Sequence, residues 1–105
     1  YSWMAVSETK CGNAPLQAIK KLDLINEKEI FWSAAPRGFV SEPLFVARPN
    51  ATKEDDGWVL SMIWNSEAES TELIILKADN LTEQAILKLP IKIPHGLHGS
   101  WVDSI

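Results

Sequence analysis

One run of seven residues, 58–64, restricts the fold of this chain more than any other feature of its sequence. All of its members except Ser61 are apolar, and it begins directly after the charged turn formed by residues 54–57. That turn ends in Asp-Gly, a dipeptide that favours turns because both residues tolerate unusual backbone angles. A short apolar run bounded by turn residues is typical of a strand buried on both faces. We therefore predict such a strand here.

Short runs of the same kind recur along the chain, while helical periodicity is weak throughout. The predicted strands cover residues 1–6, 16–24, 29–33, 42–48, 58–64, 73–76 and 85–93. Residues 36–38 are interpreted as a loop. In the second strand Leu16, Ala18, Leu22 and Leu24 share one parity. In the last strand apolar residues alternate with lysines, and its prolines suit a position at a sheet edge.

Seven or eight short strands within 105 residues predict an all-β fold. This number corresponds to about two blades of a β-propeller, if a four-stranded blade takes roughly 40–50 residues. A small β-sandwich would fit the same spacing, and periodicity does not choose between the two.

The charge pattern argues against a nucleic-acid-binding function. The chain has ten Lys and Arg residues against fourteen Asp and Glu residues, and the basic residues are scattered. Nucleic-acid binding would need basic residues clustered on one surface. No apolar run approaches the roughly 18 residues of a membrane span. The chain opens on Tyr1 within a predicted strand, so we expect it to be a piece of a longer protein.

The two histidines, His95 and His98, are the first candidates for chemistry. Pro94, Gly96 and Gly99 exclude a helix here, and residues three apart in an extended chain point to opposite faces. The two histidines are therefore not expected to bind the same ion. Taken alone, His98 is read most simply as a loop histidine.

Three other features have equally simple interpretations. Glu42 reads as an exposed carboxylate at the start of a strand. The acidic turn 54–57 lacks the ligand spacing of a calcium loop and is interpreted as a solvated hairpin turn. Trp101 is expected to be a packing aromatic residue.

Several segments, taken together and in order, resemble the carotenoid oxygenase family. They are EPLFVARP at residues 42–49, EDDGWVLS at 54–61, ELIIL at 72–76 and GLHGSW at 96–101. The resemblance implies a seven-bladed β-propeller with iron on its axis, held by four histidines from different blades. Residues 1–105 would then be the C-terminal part, about two blades, of a single propeller domain whose upstream blades are missing.

The resemblance also implies roles for individual residues. His98 lies in the family's His-Gly motif and would be the last of the four iron ligands. Glu42 matches the glutamate that accepts a hydrogen bond from the other ring nitrogen of this histidine. Leu97 stands where many relatives have Phe and His95 where several have Tyr, and neither is expected to touch the iron.

The function that the resemblance implies is that of a non-haem Fe(2+) dioxygenase. Such an enzyme uses O2 to cleave a conjugated double bond of a carotenoid or apocarotenoid into two carbonyl products, and some relatives isomerise instead. Because the chain would hold only one of the four iron ligands, we predict that it is inactive by itself. We expect a cytoplasmic protein with peripheral membrane contact through the missing upstream segments. The alternative is a non-catalytic β-rich binding or structural module in which His98 is a loop residue.

Overall fold

The computed structural model describes residues 1–6, 16–34, 38–65, 69–91 and 100–102, and their regular secondary structure is entirely β. The strands are β1 (Ser2–Val6), β2 (Ala18–Asp23), β3 (Lys28–Ser33), β4 (Gly38–Val40), β5 (Leu44–Ala47), β6 (Gly57–Asn65), β7 (Ser70–Lys77) and β8 (Glu83–Lys88). The all-β prediction is confirmed. Within these ranges no helix is long and apolar enough to cross a membrane.

The strands form two antiparallel sheets. The first sheet has the order β1-β2-β3, and the second has the order β4-β6-β7-β8 with β5 also paired to β6. β4 pairs with the end of β6 and β5 with its beginning, so the two short strands lie end to end along the same neighbour. Together they act as one interrupted outer strand. The second sheet is therefore a four-stranded meander, the arrangement of a propeller blade.

The hydrophobic core lies between the two sheets. The first sheet contributes the fully buried Ile19. The second sheet contributes Val40, Val59, Ile63, Ile74 and Leu76, and the connection between β7 and β8 contributes Ala78 and Leu81. At its margin the Trp3 ring stacks on the Phe45 ring with 4.7 Å between centroids. Complete burial of an aliphatic side chain contributes about 1.5–3 kcal/mol, so this cluster holds the sheets together.

The central strand β6 buries one face completely and the other only in part. Val59, Ser61 and Ile63 are buried, whereas the residues that alternate with them, among them Trp58 and Met62, are half-buried. Within the described residues the predicted double burial is therefore met on one face only. The second face is apolar as well, which is why the sequence of this strand shows no alternation.

The strand β4 begins at Gly38, within residues that the sequence assigned to a loop. A Cβ atom at Gly38 would lie 2.7 Å from the Cβ of Ala34, so close packing requires glycine there. Gly57 differs from its prediction in the same way: it is the first residue of β6, opposite Ala47, and not a turn residue. A Cβ on Gly57 would collide with the backbone of β5, including the Ala47 Cα at 2.9 Å.

Burial in β2 is not confined to the parity that its leucines share: Ala18, on that parity, is buried, and so are Ile19 and Lys21 on the other. Ile19 and Lys21 are buried on the core side, while Leu24 lies in the following turn and is 65% exposed. Lys21 can occupy a buried position because Asp55 and the Asp79 carbonyl bind its ammonium group. At the far edge of the second sheet β8 takes the predicted edge position among the described strands. Its Ile86 and Leu87 are both exposed, so the predicted in-and-out alternation is weak there.

Candidate functional site

Glu42 lies in the interruption between β4 and β5. The side chain of Glu42 is exposed and that of its neighbour Pro43 is buried. The residues on either side, Val40 and Leu44, belong to strands that pair with β6. A carboxylate is thus presented at the surface of an otherwise apolar outer strand. The predicted exposed position of Glu42 agrees with the structure.

A β-bulge produces this presentation. Val40 pairs with Ile63 and Leu44 pairs with Leu60, so three residues, 41–43, lie opposite two residues, 61–62. An extra residue of this kind bends the strand and re-aims a side chain. Proline suits the position because it has no N–H to donate to the neighbouring strand. Proline also restricts the preceding residue, here Glu42, to extended conformations.

Two serine hydroxyl groups satisfy the backbone groups that the bulge displaces. The Ser41 N–H donates to the Met62 carbonyl at 2.9 Å, as in a regular ladder. The Met62 N–H, however, donates to the Ser41 Oγ at 2.9 Å, and the Ser41 carbonyl accepts instead from the Ser61 Oγ at 3.0 Å. The two hydroxyl oxygens lie 3.3 Å apart. Sequence reasoning missed this role, although a polar residue at position 61 of an apolar strand was the available signal.

The histidines that the sequence singled out lie outside the described residues. Both His95 and His98 fall in the range 92–99, so the predicted pairing of His98 with Glu42 stays a prediction. Across the described ranges no three His, Cys, Asp or Glu side chains are grouped so that they could hold a metal ion. Trp101, expected to pack, is 53% exposed.

The acidic turn 54–57 is bound to cationic side chains of the protein. Lys21 donates to Asp55 at 2.7 Å, and the Arg48 Nε lies 3.2 Å from Asp56. The hydrogen bond from Lys21 is the main reason why the pKa of Asp55 is below its ordinary value. Glu54 is exposed, as expected of a solvated turn, whereas Asp55 and Asp56 are half-buried. This cluster joins the two sheets, and its chemistry is that of a structural ion pair.

Comparison with known proteins identifies the fold and the family. The structure matches solved structures of Synechocystis apocarotenoid oxygenase variants with a TM-score of 0.91 and about 45% sequence identity. The match covers 97% of this chain and 22% of the oxygenase chain. A cobalt-substituted form of the same oxygenase matches equally well, with a TM-score of 0.91. These likenesses confirm the predicted β-propeller class.

The sequences of characterised relatives agree with the structural match. The chain is 46% identical to the apocarotenoid-15,15'-oxygenase of Synechocystis sp. over 106 residues, which cover 99% of the chain and 22% of that protein. It is 38% identical to the chloroplastic carotenoid cleavage dioxygenase 8 homolog A of Oryza sativa over 97% of the chain and 18% of that protein. The chain therefore spans about a fifth of the length of these relatives.

The family model described as retinal pigment epithelial membrane protein matches residues 1–103, almost the whole chain. The segments that carried the resemblance all lie within that match. The chain belongs to this family, the carotenoid oxygenases.

Proposed function

We propose that the protein containing this sequence is a non-haem Fe(2+) dioxygenase that cleaves a conjugated double bond of a carotenoid or apocarotenoid. Family membership supports the proposal, because the relatives that match nearly the whole chain include an apocarotenoid oxygenase and a carotenoid cleavage dioxygenase. The same membership favours an enzyme over the non-catalytic module. In this proposal the chain supplies one iron ligand, His98, and the carboxylate partner of that ligand, Glu42.

The observation that carries the proposal is the exposed carboxylate of Glu42 on its bulge. A metal-binding histidine usually donates its other ring N–H to a carboxylate, a carbonyl oxygen or water. Such a contact selects the tautomer, orients the ring and makes the ligand nitrogen more basic. Glu42 has the chemistry for this role, since an ionised carboxylate is a strong acceptor of an imidazole N–H. Among the described residues, Glu42 thus fits the role of a carboxylate that supports a histidine ligand of an iron centre.

The contribution of this chain to the reaction is therefore to hold and tune a ligand. When bound, ferrous iron supplies the activation of O2 that splits the double bond into two carbonyl products. Glu42 keeps the proton of His98 on the nitrogen that faces away from the metal, and its negative charge offsets the charge of an ion whose direct ligands are all neutral.

Relatives that match over most of the chain support the proposed substrate class and also suggest its competitor. Besides the apocarotenoid oxygenase, a lignostilbene dioxygenase isozyme of Sphingomonas paucimobilis is 31% identical over 96% of the chain. A stilbene is therefore the informative competitor in a substrate test. Cleavage of an apocarotenoid with no cleavage of a stilbene would support the proposed class, and the reverse would contradict it. A cytoplasmic location with peripheral membrane contact is part of the same proposal.

The test of the metal site compares the two histidines in the full-length protein. His98→Ala should abolish bound iron, whereas His95→Ala should retain it, because only His98 has the role of a ligand. Iron content is measured by a metal assay on protein purified after loading with ferrous iron. Normal iron in His98→Ala would reject the ligand assignment. The isolated 105-residue chain should show no turnover with ferrous iron, O2 and an apocarotenoid, since it has one of four ligands.

A further inference from the structure

The hydroxyl group of Ser61 is a polar group in apolar surroundings. Ser61 lies on the core face of β6, between Val59 and Ile63 and opposite Ile74 of β7, and it is only 2% exposed. An aliphatic side chain would bury more apolar surface at this position and would leave no polar atom to satisfy. A buried hydroxyl among aliphatic side chains therefore calls for a specific hydrogen-bonding reason.

The bulge supplies that reason. Each hydroxyl has one proton to donate and can also accept. Ser61 donates its proton to the Ser41 carbonyl, and Ser41 can then donate to the Ser61 oxygen while it accepts the Met62 N–H. The two side chains thus replace the backbone bond that a regular ladder would form between the Met62 N–H and the Ser41 carbonyl. Without them the half-buried Met62 N–H and Ser41 carbonyl would lose these partners, and an unmade hydrogen bond in such a position is costly.

The network ends one residue before Glu42. The Ser41 carbonyl belongs to the peptide unit that leads directly into Glu42, so a hydrogen bond to that carbonyl orients this peptide unit. On the other side the buried Pro43 restricts the backbone of Glu42 to extended conformations. The backbone of Glu42 is therefore held from both sides, by Ser61 through the Ser41 carbonyl and by the ring of Pro43.

We propose that Ser61 is a positioning residue for the metal centre, acting through Glu42. Ser61 fixes the bulge, and the bulge presents the carboxylate that orients the iron-binding histidine. This inference rests on the role proposed above for Glu42. It assigns to β6 a function in the site that is exerted through hydrogen bonds to the bulge.

The test measures ferrous iron affinity of the full-length protein by competition with a chelator. Ser61→Ala should weaken iron binding about tenfold, at the low end of the range for losing a group that supports a metal ligand. Ser61→Thr, which keeps the hydroxyl, should restore most of the affinity. Ile74→Val is the matched control, because it removes one methylene directly opposite Ser61 without touching the bulge. Hydrogen exchange at the Met62 amide should accelerate in Ser61→Ala and stay unchanged in Ile74→Val.

A double variant separates this inference from the proposed function. If Ser61 acts through Glu42, the Glu42→Gln/Ser61→Ala protein should bind iron no more weakly than Glu42→Gln alone. Equal losses in Ser61→Ala and Ile74→Val, or a loss that adds in full to that of Glu42→Gln, would overturn the inference while the role of Glu42 stands. Unchanged affinity in Glu42→Gln itself would instead reject the role of Glu42, and the positioning role would fall with it.

Discussion

The effect of replacing Lys21 on stability can be predicted with a magnitude, because its ammonium group joins the two sheets in a nearly dry environment. The Lys21 side chain is 5% exposed and that of its partner Asp55 is 17% exposed. The ammonium lies 2.7 Å from Asp55, 2.9 Å from the Asp79 carbonyl and 4.1 Å from the centroid of the Tyr1 ring. Lys21→Met keeps most of the volume of the stem and removes these interactions together.

The expected cost of Lys21→Met is about 3 kcal/mol. Removal of one partner from a buried ion pair costs about 3–5 kcal/mol, and the partial exposure of Asp55 places this pair at the lower end. Asp55→Asn should cost about 2 kcal/mol, since Lys21 keeps the Asp79 carbonyl and loses one charge-assisted hydrogen bond. The double variant should cost about 3 kcal/mol, less than the sum of the single changes, because each single change leaves the other partner stranded.

Native-state hydrogen exchange of the full-length protein measures these free energies locally, at the amides of β2 and of the turn 54–57. A loss of about 3 kcal/mol corresponds to roughly 100-fold faster exchange through opening. Arg48→Met is the matched control, because the Arg48–Asp56 pair lies in the same turn with Arg48 59% exposed. It should cost less than about 1 kcal/mol. Strictly additive costs for Lys21→Met and Asp55→Asn would refute the reasoning.

The same ion pair predicts a pH dependence. Lys21 lowers the pKa of Asp55 in the folded protein, mainly through its hydrogen bond. The pair therefore contributes its full stability above the ordinary carboxyl pKa of about 3.9, and the contribution is lost as the pH falls through the lower folded value. The difference between wild type and Lys21→Met should accordingly be constant near neutral pH and shrink below about pH 4. A difference that grew on acidification would contradict the assignment.

Two further predictions concern close packing and the junction of the sheets. Gly57→Ala should release β5 from β6, because the added Cβ would collide with the backbone at Ala47. Rapid hydrogen exchange confined to the β5 amides would confirm this expectation. Slow hydrogen exchange at those amides would contradict it. Trp3→Phe should cost about 1–3 kcal/mol in the free energy of unfolding, since the buried Ala78 carbonyl loses the indole N–H that lies 3.1 Å away. The phenyl ring can still stack on Phe45. A loss of stability above about 3 kcal/mol would therefore show that the hydrogen bond to the Ala78 carbonyl is not the main contribution of Trp3.

Local sequence patterns predicted the exposed position of Glu42 and every described strand except β4, whose first residue had been assigned to a loop. The apolar run 58–64, with turn residues at its ends, predicted β6 almost to the residue. The strand predicted over residues 42–48 begins with Glu42 as an exposed carboxylate, and in the structure β5 begins two residues later, at Leu44. These features depend on neighbours in the chain, since turn preference, strand alternation and the restriction before proline are local effects. The family motifs added the propeller fold, and they imply the roles that we propose for His98 and Glu42.

The tertiary structure decided what depends on distant partners. Lys21 enters the core because Asp55 and the Asp79 carbonyl, 34 and 58 residues away in the chain, bind its ammonium. A pattern of leucines in β2 cannot report such partners, and it did not indicate that Lys21 would be buried. Gly57 reads as a turn residue until the backbone of β5 is placed against it. In the sequence Ser61 is a polar exception in an apolar strand. The structure of the bulge around Glu42 explains it, because the Ser61 hydroxyl donates to the Ser41 carbonyl. The sequence determined which segments are strands, whereas only the packing of one strand against another determined what their buried polar groups do.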